Sequence, residues 1–180
     1  MMLRNWRTIC AATILLAAAG CGSDGGGEGG SGGSGGTGIP GGIVVCDLFT
    51  QAQIEGALGS PVVQGEGTID SLCIWDAADF ETGKTLSMQI LAGGAQNFDA
   101  TVEQLEESFG STAEPLAGVG ERAYQFYYEI GTGSLAAGSA QVGATQGNDF
   151  VMVTVGGLGL VEAEGLAIAK ALTIQLLGKI

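Results

Sequence analysis

The sequence predicts an α+β domain over residues 43–180, an antiparallel sheet with packed helices that include a C-terminal helix. Three observations lead there. Apolar spacing switches between the helical and the strand period along the chain. The element order reads helix, strands, helix, strands, helix. The strand candidates are joined by short turns, such as Thr145 to Asn148, rather than by crossover helices, which favours antiparallel pairing. The 138 residues of this span suffice for one real core.

The first helix is short. Thr50-x-x-Gln53 matches a capping box, and Phe49 and Ile54 occupy the staple positions on either side. Ile54, Ala57 and Leu58 form its apolar face, and Gly59 with Pro61 ends it. The second helix runs from about Phe98 to Phe109. Phe98, Val102, Leu105 and Phe109 make one apolar stripe, Glu103, Glu106 and Glu107 face water, and Gly110 stops it. The third runs from about Leu160 to Leu177, with Glu162 and Glu164 at its positive end and Lys170 and Lys179 toward its negative end. Strand candidates are Leu72–Trp75, Thr85–Leu91, Glu121–Ile130, Gly133–Ala144 and Phe150–Val155. In the last of these Phe150, Met152 and Thr154 oppose Val151, Val153 and Val155, so it reads as buried on both faces.

The segments before the domain read as an address and a tether. Residues 1–20 carry Arg4 and Arg7, an apolar run from Thr8 to Ala19, and Ala18-Ala19-Gly20 directly before Cys21. Such a run is too short for a mature span and fits a signal peptide. The Cys after Ala-Ala-Gly resembles the lipobox of bacterial lipoproteins, in which the thiol is diacylated and becomes the new N-terminus. Ala18 departs from the commonest residue, Leu; the other reading is a plain secretory signal with Cys21 incidental. The resemblance implies an extracytoplasmic protein held to a bacterial membrane through a lipidated Cys21, with no need of a transmembrane helix. Residues 21–42 comprise that Cys and a Gly/Ser-rich flexible stretch containing 13 glycines. A coil of this length spans about 25 Å.

Cysteine usage then closes. Cys10 leaves with the signal peptide and Cys21 takes lipid, so Cys46 and Cys73 remain as one disulfide in an oxidising compartment. A redox pair or free nucleophile is the rival, which the absence of His and of CxxC spacing disfavours.

Cys46-Asp47-Leu48-Phe49-Thr50, a short helix ending Ala57-Leu58-Gly59, Cys73-Ile74-Trp75, and Gly118-Val119-Gly120-Glu121-Arg122-Ala123-Tyr124 stand in that order. Together they resemble the lipoproteins of unknown function common in mycobacteria and other actinobacteria, with C-x-L-L-T, C-x-W and G-x-G-[DE]-x-A motifs. The resemblance covers most of residues 43–180; Phe49 replaces the commoner Leu. It implies that Cys46 and Cys73 pair, that Trp75 packs near them, and that Gly118, Gly120 and Ala123 form the turn into a strand. It implies a role at the cell envelope and carries no catalytic residues.

Charge and composition exclude several functions. The chain has six Lys/Arg, nineteen Asp/Glu and no His, a net charge of −13. There is no imidazole for a triad, base or metal site. So few bases make nucleic acid an unsuitable partner. Thr82-Gly83-Lys84-Thr85 lacks the first Gly of a phosphate loop, because Ala78 stands there, and Glu162 interrupts a dinucleotide fingerprint at Gly157-x-Gly159. Asp70, Asp76, Asp79 and Glu81 match no calcium loop and read as solvated charge. No cofactor or metal is expected.

Tyr124, Phe126, Tyr127 and Tyr128 concentrate four of the eleven aromatic residues. On a strand the first, second and fourth share a face and Tyr127 points the other way. They form either a core row with an outward Tyr or a binding platform. Arg122 pairs with a neighbouring acid or meets an anionic ligand. The expectation is a non-enzymatic envelope lipoprotein that binds a protein partner or a small envelope ligand. The alternatives are a carrier of an apolar ligand between sheet and helix and, more weakly, a hydrolase using carboxylates or a Ser/Lys pair.

Overall fold

In the computed structural model, residues 43–65, 69–79, 81, 83–132 and 136–180 are described. The expected signal peptide (residues 1–20), Cys21 and the expected tether (residues 21–42) lie outside them, as does the start of the strand expected from Gly133. Three helices are described: α1 (Gln51–Leu58), α2 (Phe98–Phe109) and α3 (Glu162–Leu177). Seven strands form one sheet: β1 (Val62–Gln64), β2 (Leu72–Ala77), β3 (Lys84–Leu91), β4 (Glu114–Pro115), β5 (Arg122–Ile130), β6 (Ala137–Gln146) and β7 (Asp149–Leu158). Their spatial order is β1-β2-β3-β7-β6-β5-β4, and every neighbouring pair is antiparallel. The fold is therefore α+β with an antiparallel sheet and a C-terminal helix, as the pattern of periods predicts.

Local chemistry places the helix ends. Thr50 accepts from the Gln53 N–H while the Gln53 side chain accepts from the Thr50 N–H, which satisfies two donors that α1 would otherwise leave open. α1 and α2 stop at Gly59 and Gly110, both left-handed. The loop between β6 and β7 is tighter than Thr145–Asn148, because Thr145 and Gln146 remain paired and only Gly147 and Asn148 lie outside the ladder. Gly147 takes φ +58°, the left-handed geometry that a two-residue hairpin places first.

The sheet is two meanders, β1-β2-β3 and β4-β5-β6-β7, joined where β3 pairs with β7 from Lys84↔Gly157 to Leu91↔Phe150. That pairing continues through Gly156 and Gly157, so β7 runs three residues past the apolar stretch that announced it. β1 and β4 are not evident from periodicity, since three and two residues are too few to show a period. α1 and α3 pack on one face over Trp75, Leu86, Met88, Val142, Ala144, Val151, Val153 and Val155. α2 packs on the other, where Phe98 and Leu105 meet Tyr124, Phe126 and Phe150. Because α2 covers only part of that face, Met152 and Thr154 are half-buried while Phe150 is fully buried. β7 is thus closed on both sides at one end only, a correction to its sequence reading.

A Cys46–Cys73 disulfide ties the 3-10 turn Val45–Leu48 to β2 across a separation of 27 residues. Cys73 is fully buried in the same cluster as Trp75. The Val45 N–H donates to the Asp70 carbonyl at 2.9 Å beside the bridge. Gly118 and Gly120 both have positive φ in the turn before β5, whereas Ala123 belongs to the strand itself. A Cβ on Gly120 would sit 2.4 Å from the Thr145 carbonyl oxygen, so close approach as well as φ demands glycine there.

On the chain-entropy account, closing this loop stabilises the fold by roughly 3.5 kcal/mol. A Cys46→Ser/Cys73→Ser double variant should therefore lose about that amount in urea unfolding, and its midpoint temperature should fall by roughly 10 °C. Unchanged stability in that variant would show that the crosslink constrains nothing.

Candidate functional site

The residues singled out from sequence converge on β5. Its even-numbered residues Arg122, Tyr124, Phe126, Tyr128 and Ile130 share the α2 face, and Ala123, Gln125, Tyr127 and Glu129 share the other. Their environments divide them. Tyr124 and Phe126 are buried under α2, with Phe98 edge-on to Tyr124 at a centroid distance of 5.6 Å. Tyr124 lies against Gly143, where a Cβ would approach its ring to 2.3 Å. These two aromatics are core. Tyr128 is half-buried and stacked on Phe109, with centroids 3.9 Å apart. Tyr127 projects to the opposite face, where its hydroxyl donates to the Leu160 carbonyl at 2.8 Å and lies 3.0 Å from a Glu129 carboxylate oxygen.

Arg122 is engaged. Its guanidinium forks onto the Asp99 carboxylate, with Nη1 donating to Oδ2 at 3.2 Å and Nη2 to Oδ1. It also lies over the Phe98 ring, 4.3 Å from the centroid. The hydrogen bonds from Arg122 hold the Asp99 carboxyl below its ordinary range, although the pair is exposed and its energy is screened. Lys84, from the discarded phosphate-loop pattern, donates to the Leu58 carbonyl at 2.9 Å and pairs with Glu164 at 3.1 Å, so it braces the end of α1 against α3. Among the described residues, no cluster of three or more His, Cys, Asp or Glu side chains is placed to hold a metal, and no helix is long and apolar enough to cross a membrane.

The feature that residue-by-residue reading misses is the outer edge of β5. β4 pairs with it only at Gln125 and Tyr124, with a further bond from the Leu116 N–H to the Ala123 carbonyl. That bond sets the direction of the backbone groups. Odd-numbered residues of β5 present N–H and C=O to the β4 side, and even-numbered residues bond β6. Beyond Gln125 the strand continues to Ile130 with no neighbour among the described residues. Tyr127 and Glu129 therefore project two N–H and two C=O groups outward, in the plane of the sheet. Ile130, at 44% exposure, closes this stretch.

The opposite edge is treated differently. In β1 the Gly65 N–H donates to Ile74, so Val62 faces outward. α1 covers it: Gln51 Nε2 donates to the Val62 carbonyl at 2.8 Å, and the Val62 N–H donates to Glu55 Oε1 at 3.3 Å. Among the described residues, side chains of α1 thus cap the Val62 position of one edge, while the β5 edge beyond Gln125 has no such cap. A nine-residue strand beside a two-residue one was the signal, and it needed β4 to be located first.

No family model matches the chain, and no curated protein matches it. Among solved structures, a protein from Bacteroides thetaiotaomicron VPI-5482 shows 12% sequence identity and a TM-score of 0.43 over 62% of this chain. The present chain spans 41% of that protein's length. A likeness of that degree carries no functional argument.

Tyr124 offers a direct probe of this strand. Burial pushes its hydroxyl well above the ordinary value of 10.0, against the opposing effect of the hydrogen bond that Gln141 Nε2 donates at 2.8 Å. A pKa raised on folding stabilises the native state fully below the unfolded value, and that contribution is lost as pH rises past it. Stability should fall above about pH 10, and Tyr124→Phe should remove the Tyr124 share of that loss, leaving the part due to Tyr127, whose hydroxyl burial also pushes up. At neutral pH the variant leaves a buried Gln141 donor unpaired and should cost about 1–3 kcal/mol. Adding Gln141→Leu should recover part of it. Urea unfolding at pH 7 and across the alkaline range tests both.

Proposed function

We propose that this protein is a lipid-tethered, extracytoplasmic binding module whose domain engages a protein partner rather than catalysing a reaction. Cys21 carries the lipid, residues 22–42 act as a flexible tether, and residues 43–180 form the binding domain. The reading follows from the Ala-Ala-Gly-Cys sequence after a short apolar run. The closed Cys46–Cys73 bridge supports an oxidising compartment. The observation that carries the binding function is the unpaired stretch of β5 at Tyr127–Ile130, with exposed Ile130 and the half-buried Tyr128–Phe109 stack beside it. An unpaired strand edge is a template on which another chain can pair. Leaving one open while α1 caps the other gives the domain a surface on which a second chain completes the sheet.

The test has two arms in a bacterial host. Labelled palmitate should enter the wild-type protein and not Cys21→Ser, which should leave the membrane fraction. A photo-crosslinking residue in place of Ile130 should give a discrete adduct on intact cells, and one in place of Gln175 on α3 should not. Unchanged fractionation of Cys21→Ser would remove the anchor. Identical crosslinking at both positions would remove the binding surface.

A further inference from the structure

We infer that the open edge of β5 binds by strand addition, pairing antiparallel with an extended segment of a partner protein that alternates apolar and basic residues. This rests on the binding-module reading above and specifies its chemistry. The backbone supplies the affinity: the N–H and C=O groups of Tyr127 and Glu129 form two outward hydrogen-bonding positions separated by Tyr128, the pattern an incoming antiparallel strand requires.

Side chains supply the selection. A residue opposite Tyr128 lies on the α2 face, beside the Phe109–Tyr128 stack, and a residue opposite Ile130 lies on that same face. Both positions favour apolar groups. A residue opposite Glu129 lies on the other face, where the exposed Glu129 carboxylate meets it. Glu129 itself supplies the charge at that position, with its carboxylate 3.0 Å from the Tyr127 hydroxyl on the same face. The base on β5, Arg122, sits at the far end of the strand and is held by Asp99. A Lys or Arg is therefore the complementary residue opposite Glu129. In chain order the partner segment reads apolar, basic, apolar, then a residue opposite Tyr127. A second copy of this chain fits less well, because residues 43–180 hold four basic against seventeen acidic residues and two such surfaces repel.

The test titrates the detergent-solubilised full-length protein with a fluorescent peptide of sequence TVKVT, read by anisotropy. Saturable binding is expected. It should weaken at least tenfold for TVEVT, and at least tenfold when the Lys and final Thr amides of TVKVT are N-methylated. It should also weaken tenfold for Glu129→Pro, which removes an outward N–H and leaves the β5–β6 ladder intact. Glu129→Lys, which keeps every backbone group, should reverse the preference toward TVEVT. Undiminished binding of the N-methylated peptide, equal binding of TVKVT and TVEVT, or no binding of either overturns the inference. A dimer in sedimentation that Glu129→Pro dissolves assigns the edge to a second copy and also overturns it. A crosslink in place of Ile130 that survives Glu129→Pro overturns strand addition alone and leaves the binding-module reading standing. Peptide binding without any cellular crosslink does the reverse.

Discussion

The pairing of β3 with β7 is the constraint on which the rest of the structure depends. It joins two antiparallel meanders into one sheet over eight aligned residue pairs. Side chains alternate across a strand, so this register decides which residues face α1 and α3 and which face α2. With Leu86 opposite Val155, Met88 opposite Val153 and Ile90 opposite Val151, six apolar side chains fall on one face. A slip of one residue would set the three side chains of one strand on the opposite face from those of the other, bringing Ser87 and Gln89 of β3, or Met152 and Thr154 of β7, into the main core. The two glycines at the end of β7 belong to the same constraint. A Cβ on Gly157 would come within 3.2 Å of the Gly83 carbonyl oxygen, where β3 begins.

From that seam the two faces acquire unequal cover. α3 lies across β5, β6 and β7, while α2 is confined to the aromatic end of the second face. The aromatic cluster is consequently divided by depth. Tyr124 and Phe126 fall under α2, Tyr128 falls at its end against Phe109, and Tyr127 turns to the opposite face. Three of the four basic residues in residues 43–180 are engaged within the domain: Lys84 between α1 and α3, the exposed Arg122 with Asp99 on α2, and the exposed Lys179 over the Phe49 ring at 4.9 Å. The charge left at the surface is mainly acidic, which gives the open strand edge its sign.

Much of the fold was legible locally. α1 was readable from Thr50 and Gln53 because a capping box is a contact between residues three apart. α2 was readable to the residue because its apolar stripe and its terminal glycine are both local signals. The extension of β7 was not, since Gly156 and Gly157 carry no strand preference and are extended because a neighbour pairs with them. Thr145, a strand former, stands close to the turn residues Gly147 and Asn148 and reads as part of the turn. β1 and β4 were hidden because three and two residues are too few to show a period.

By itself the sequence determined the class of the domain, the ends of its first two helices, the partner of Cys46, and the chain's charge. Each follows from neighbours along the chain or from composition. α3 begins two residues later, at Glu162, than its pattern suggested. Only the tertiary structure decided the strand order, the division of β5 into core and surface, and the difference between its two edges. Those depend on β7 inserting beside β3 and on β4 stopping after two residues, which are contacts between distant segments. An edge is defined by a missing neighbour, and no stretch of residues read alone records who its neighbours are.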